Sequence, residues 1–203
     1  MMIKKRKSIN TYAFVDASNL FYGGEKSLGW KIDYKKLLIY LKDKYYVSKV
    51  FYYAGIELNG FFYSILDNKP IGLNVLLAFY RKKNVEQRKV QRAKFYRKLQ
   101  EFGYRLRLKP VKTFKDEKGR ISKKANCDVD LTFDMMRLKD EYKNAVLISG
   151  DGDFAILVKY LISIGKKIHF LARGERTARE IRQLAGNNFQ DFHYLREILR
   201  FKE

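Results

Sequence analysis

Apolar and polar positions along the chain follow two different periods. Tyr12 to Val15 is a short unbroken apolar run that ends at Asp16. Val50 to Ala54, Ala145 to Ser149 and Lys167 to Leu171 are similar runs. Runs of this kind suit strands buried on both faces of a sheet. Tyr104 to Lys109 alternates Tyr, Leu, Leu with Arg, Arg, Lys until Pro110 stops it, which is a strand pattern. Other segments have helical spacing. In Asp33 to Tyr45, Leu37, Leu38 and Leu41 form a stripe and Asp33 is placed to cap the first turn. Val85 to Phe102 predicts a long helix ended by Gly103, and Phe154 to Ile164 one closed by Gly165. Asp128 to Tyr142, Thr177 to Leu184 and His193 to Phe201 also read as helices. Lys115 to Lys124, around Gly119, reads as a turn or hairpin.

Strand and helix alternate along almost the whole chain. That rhythm predicts an α/β fold with a mainly parallel sheet and helices on both faces. At 203 residues the chain is read as a single domain, residues 1–203. Residues 57–83 fit least well. They hold Pro70, one of two prolines, and the aromatic stretch Phe61 to Tyr63, and are expected to form an insertion or lid. Met1 to Ser8 is basic with no apolar segment after it, and no apolar run reaches membrane-spanning length. A single cysteine, Cys127, rules out an internal disulfide. The expectation is a cytoplasmic protein without a membrane partner, monomer or homodimer being left open.

In open α/β sheets, ligands bind beyond the carboxyl ends of the strands. The residues expected there are unusual for so basic a chain. Asp16-Ala17-Ser18-Asn19 follows the first strand. Ser149-Gly150-Asp151-Gly152-Asp153 follows a later one, and Cys127-Asp128-Val129-Asp130 opens a helix between them. On that helix Asp128 shares a stripe with Leu131, Met135 and Leu138, so it points inward. Asp134 flanks the stripe and Asp130 faces the other way. Asp128 therefore ranks first among them as a site residue, Asp134 second and Asp130 third.

Clustered carboxylates fit Mg²⁺ or Mn²⁺, which favour hard oxygen ligands. A cation relieves their mutual repulsion, activates water and neutralises charge on a phosphate. Plainer roles stand beside these. Asp153 is also placed to cap the helix at Phe154, Asp16 to close a turn with Asn19, and Asp130 to be solvated. Two histidines, His169 in a strand and His193 at a helix start, argue against histidine catalysis. No zinc spacing or phosphate-cradling glycine motif is present.

Charge then points to the partner. Forty-three Lys and Arg against 22 Asp and Glu leave a net charge of +21. Residues 81–112 alone hold thirteen basic residues and two acids, a net +11. Such a field attracts polyanions, with an acidic protein or membrane surface as the lesser alternative. Phe95, Tyr96, Phe102 and Tyr104 lie among the bases, and bases beside aromatics suit a single strand. Lys82, Lys83, Arg88, Lys89, Arg92, Lys94 and Arg97 are the expected nucleic-acid contacts, with RNA favoured over DNA.

Three segments carry a family resemblance. Phe14-Val15-Asp16-Ala17-Ser18-Asn19-Leu20, Cys127 through Met136, and Val146-Leu147-Ile148-Ser149-Gly150-Asp151-Gly152-Asp153-Phe154 resemble, in order, the three signatures of NYN domains. These form the LabA-like branch of the PIN-like nucleases. Gly165 to Phe170 and Phe189-Gln190-Asp191-Phe192 are similar as well. The likeness covers roughly residues 10–200, with 57–83 outside it. It implies a PIN-like three-layer fold with strand order 3-2-1-4-5 and one or two Mg²⁺ or Mn²⁺ ions in an acidic pocket. The metal-site acids carry over to Asp16, Asp128 and Asp151, with Asp153 nearby. Asn19 and Ser149 match polar pocket positions, and Asp134 an acid on the same helix. The implied activity is a metal-dependent endoribonuclease. A non-catalytic RNA-binding or regulatory module and a small-substrate phosphohydrolase are the alternatives.

Overall fold

The computed structural model describes residues 10–64, 66, 69–117 and 119–202. The basic start at Met1 to Ser8, parts of the 57–83 stretch and Lys118 of the hairpin lie outside them. The chain begins with β1 (Thr11–Asp16), then α1 (Ala17–Asn19), a wider π turn (Leu20–Glu25) and α2 (Lys26–Leu28). Next come α3 (Tyr34–Tyr45), β2 (Val47–Ile56), α4 (Leu73–Lys82), α5 (Gln87–Phe102) and β3 (Arg105–Pro110). A hairpin of β4 (Lys112–Lys115) and β5 (Ile121–Lys124) leads into α6 (Asp128–Arg137) and β6 (Asn144–Ile148). The chain ends with α7 (Ala155–Ser163), β7 (Lys167–Ala172), α8 (Arg179–Ala185), β8 (Phe189–Asp191) and α9 (Arg196–Leu199).

Six strands form one sheet in the order β3-β2-β1-β6-β7-β8, and every neighbouring pair is parallel. Counted within the sheet, the first five strands follow the expected order 3-2-1-4-5. The sixth, β8, corrects it by extending the edge beyond β7, pairing Phe170 with Phe189 and Ala172 with Asp191. Three residues are too short for a readable period.

The side-chain alternation of β1 builds both cores. Tyr12 and Phe14 enter the layer shared with α6, α7 and α8. Ala13 and Val15 enter the layer shared with α3, α4, α5 and α9. Phe14 stacks on Phe51 of β2 with ring centroids 5.4 Å apart. All six β1 residues are buried, which explains the unbroken apolar run.

Capping fixes several boundaries. Asp33 accepts the N–H groups of Lys35 and Lys36 at 2.9 and 3.1 Å, as its position predicts. Gly103 ends α5 in the left-handed region at φ 108°. Helix α6 stops at Arg137, five residues short of the expected Tyr142. Tyr142 instead folds back, donating its hydroxyl to the Met135 carbonyl at 2.8 Å and packing its ring against Tyr12 and Phe14. The expected helix from His193 to Phe201 is split by a short 3-10 turn over Phe192–Leu195, with Asp191 accepting the His193 N–H. In the 57–83 stretch, α4 buries Leu73, Leu76, Leu77 and Tyr80 against the α3–α5 layer, so that half is core.

Candidate metal centre and nucleic-acid groove

Because the sheet is parallel, its carboxyl ends share one edge. β1 and β6 lie side by side at the point where the strand order reverses, and Val15 is in register with Ile148. Asp16 and Ser149 therefore leave neighbouring strand ends together. Asp16 is buried, and its Oδ1 accepts the Ser18 and Asn19 N–H groups at 2.9 and 3.1 Å. Its Oδ2 accepts the Ser149 hydroxyl at 3.1 Å. Ser149 Oγ accepts the Asp151 N–H at 3.2 Å, and Asn19 Oδ1 the Gly150 N–H at 3.0 Å. Side chains thus lace the two loops into one wall. Gly150 is required by contact: a Cβ there would lie 2.6 Å from Thr177 Oγ1 and 2.9 Å from Thr177 Cα.

Asp128 is the first residue of α6, where Asn126 Oδ1 accepts its N–H at 3.0 Å. Leu131, Met135 and Leu138 below it are buried, so the stripe faces inward as its spacing predicts. Asp16, Asp128 and Asp151 line one hollow of about 280 Å³, together with Ser18, Asn19, Tyr22, Ala125 and Cys127. Its electrostatics are strained. Burial and then the negative charges of Asp16, Asp151 and Asp153 push the Asp128 carboxyl up to about 6, with Lys109 opposing. Burial also raises the Asp16 carboxyl. The hydrogen bonds from Asn19, Ser149 and Ser18 oppose that rise, and the charge of Asp151 adds to it.

An all-oxygen carboxylate set in which burial and neighbouring negative charge raise Asp128 and Asp16 fits a hard divalent cation. Among the described residues, however, no three His, Cys, Asp or Glu side chains form a closed ligand group. Asp16 and Asp151 are each occupied by local hydrogen bonds. The two findings are compatible, because Mg²⁺ is usually held by one or two carboxylates with water and phosphate completing its shell.

The other expected acids do not line the hollow. Asp134 is buried one turn further along, where it accepts Arg107 at 2.8 Å, Arg137 at 2.7 Å and the Tyr53 hydroxyl at 3.0 Å. It is a structural anchor for β3. Asp130 pairs with Lys109 at 2.5 Å. Asp153 is exposed beside the hollow and donates its N–H to Asp151 Oδ1 at 3.0 Å. Cys127 does line the hollow, but burial pushes its thiol up to about 12, so it stays protonated and is no nucleophile.

The hollow continues into a groove of about 1310 Å³, the two sharing Ser18, Tyr22 and Ala125. Helix α5 supplies one wall through Arg88, Arg92, Phe95, Lys98 and Phe102, one face at helical spacing. Of the seven expected contacts, only Arg88 and Arg92 lie there. Lys94 and Arg97 of α5 do not line the groove, and Lys82 and Lys83 close the separate helix α4. Lys89 is held by Glu57 and Glu86 at 3.6 and 3.5 Å. The groove also recruits Lys26, Lys31, Lys35 and Lys123, which sequence reading passed over. They come from the α1–α3 region and the hairpin, which only the fold brings opposite α5. Phe95 and Phe102 are partly exposed along the groove, whereas Tyr96 and Tyr104 are buried core.

Known proteins are similar to this chain in sequence or in fold. The chain is 28% identical to the Low amplitude and bright protein LabA of Synechococcus elongatus over 193 residues, 94% of this chain and 87% of that protein. Its fold is similar to that of VPA0982 from Vibrio parahaemolyticus RIMD 2210633, a protein of unknown function. The TM-score is 0.63 at 21% identity, covering 91% of this chain and 93% of that one. The T5 D15 protein, co-crystallised with metal ions, is a more distant likeness: TM-score 0.42, 16% identity, 85% of this chain and 59% of that one. A sequence model of the NYN domain matches residues 10–193, so the chain belongs to the NYN domain family.

Proposed function

We propose that the chain is a metal-dependent ribonuclease, with Mg²⁺ or Mn²⁺ held by Asp16, Asp128 and Asp151. One observation carries this reading. The hollow lined by those carboxylates opens directly into a groove with seven cationic side chains. A groove of that charge suits a phosphate backbone, and a carboxylate hollow beside it suits the cation that backbone needs for cleavage. A bound divalent ion supplies water of lowered pKa and neutralises charge developing on the phosphate.

The chain's own residues divide the remaining work. Arg88 and Arg92 hold the strand by its phosphates. Asp16 is a fixed carboxyl, its orientation set by the Ser18 and Asn19 amides and the Ser149 hydroxyl. Ser149 and Asn19 are positioning residues, because their polar atoms face Asp16, Asp151 and Gly150. Asp153, exposed at the rim, is the group free to orient water. Protonated Cys127 adds no charge to the wall.

Non-catalytic RNA binding is the second reading, favoured by the lack of a closed ligand group among the described residues. RNA, DNA and a chromogenic phosphomonoester assayed side by side, with and without Mn²⁺, separate the readings. The proposed enzyme cuts RNA with Mn²⁺ present. Binding without turnover establishes the module, and turnover of the phosphomonoester alone establishes a phosphohydrolase.

A further inference from the structure

Three carboxylates line the cationic groove, and two have evident structural partners. Asp33 caps α3 through the Lys35 and Lys36 N–H groups at 2.9 and 3.1 Å. Glu57 pairs with Lys123 at 2.8 Å and Lys89 at 3.6 Å. Glu25 has no ion-pair partner among the described residues. Its Oε1 accepts the Ile32 N–H at 2.9 Å, which ties the end of the π turn to the following loop and fixes the carboxylate.

The surroundings say what such a group can recognise. Glu25 shares the groove lining with Tyr22, Trp30, Tyr34, Arg92 and Phe95. Phe95 is partly exposed and meets Tyr34 edge to face at 5.1 Å. An unpaired carboxylate repels phosphate, so it disfavours the backbone of a bound strand. It attracts N–H donors, and aromatic walls attract flat rings. A nucleobase meets both demands. Guanine meets them best, because its N1–H and N2–H₂ are adjacent donors on one edge. In adenine, cytosine and uracil the donor lies beside an acceptor that a carboxylate opposes.

Building on the reading of this groove as an RNA site, we infer that Glu25 is a base-selecting residue. It accepts from the Watson–Crick edge of a guanine in single-stranded RNA, whose ring stacks on Phe95. Tyr22 belongs to both cavities, so this base lies close along the strand to the phosphate over the hollow.

The test uses the whole chain in EDTA, where nothing is cut, and fluorescence anisotropy with labelled oligouridine carrying one central G, A, C or U. The G strand is expected to bind on the order of tenfold more tightly than the U strand. Replacing G by inosine removes the N2 amino group and is expected to lose several-fold. Methylating N1 is expected to abolish the preference. Glu25→Gln keeps an acceptor for the Ile32 N–H and should bring the four strands within about twofold. Equal binding of all four strands by the natural chain overturns the inference. So does a preference that survives inosine or Glu25→Gln. The inosine arm needs no variant, so a folding defect in Glu25→Gln cannot hide the answer. Guanine-selective binding without cleavage in Mn²⁺ would defeat the nuclease reading and leave this subsite standing. Base-blind binding with Mn²⁺-dependent cleavage would do the reverse.

Discussion

Asp16 and Asp134 are both buried carboxylates, yet their surroundings drive them in opposite directions. Asp16 meets burial and the charge of Asp151, and its pKa rises. For Asp134 burial also acts upward, but hydrogen bonds from Arg137 and Arg107 outweigh it and the pKa falls. The first pattern is a place that gains from a cation, and the second already has its cations. Asp151→Asn is therefore expected to lower RNA cleavage by at least about a hundredfold with an unchanged melting temperature, measured by initial rates and circular dichroism. Asp134→Asn is expected to cost about 1–3 kcal/mol of stability at neutral pH. A depressed folded pKa gives stabilisation that is full above the ordinary carboxylate value of 3.8 and is lost as pH falls through the lower folded value. The gap between natural and Asp134→Asn melting temperatures should accordingly close in strong acid; a gap that holds constant contradicts this assignment. Sequence spacing ranked Asp134 as a pocket residue because it flanks the inward stripe of α6. Its Arg107 partner lies 27 residues away on another element, which no local pattern reveals.

Among the elements, α5 was the most legible in extent and the least legible in role. Its length and its glycine stop followed from periodicity, but a run of bases does not say which of them face a ligand. The helix resolves this by phase. Arg88 and Arg92 share the groove face with Phe95, while Lys94 and Arg97 are not part of its lining. Replacing Arg88 and Arg92 with alanine together should shallow the log–log salt dependence of RNA binding by about 1.4. The Lys94 and Arg97 pair should change it by less than about half as much. Equal effects would show that charge, and not its position, governs binding. Gly150 gives a second prediction at this scale. Gly150→Ala places a methyl against Thr177 at the end of β6 and should destabilise the chain by about 1–3 kcal/mol, read by chemical denaturation. Other elements left weak traces. β8 is three residues long, and α4 hides in a stretch whose proline and aromatics resemble a loop.

Over the whole molecule, the parallel sheet puts three distant acids on one edge. The reversal between β1 and β6 opens the space between them. That much was legible, because each acid follows a strand or opens a helix in its own segment. The groove was not, because its far wall is assembled from Lys26, Lys31, Lys35 and the hairpin's Lys123, scattered along the chain among residues of no evident pattern. No helix among the described residues is long and apolar enough to cross a membrane.

If the acidic hollow breaks a phosphodiester bond as proposed, it does so only with a divalent cation bound. The most direct measurement is the initial rate of cleavage of a labelled single-stranded RNA as Mn²⁺ is titrated into metal-stripped protein. No cleavage is expected in EDTA, and with Mn²⁺ the rate should rise to a plateau. An undiminished rate in EDTA would contradict it.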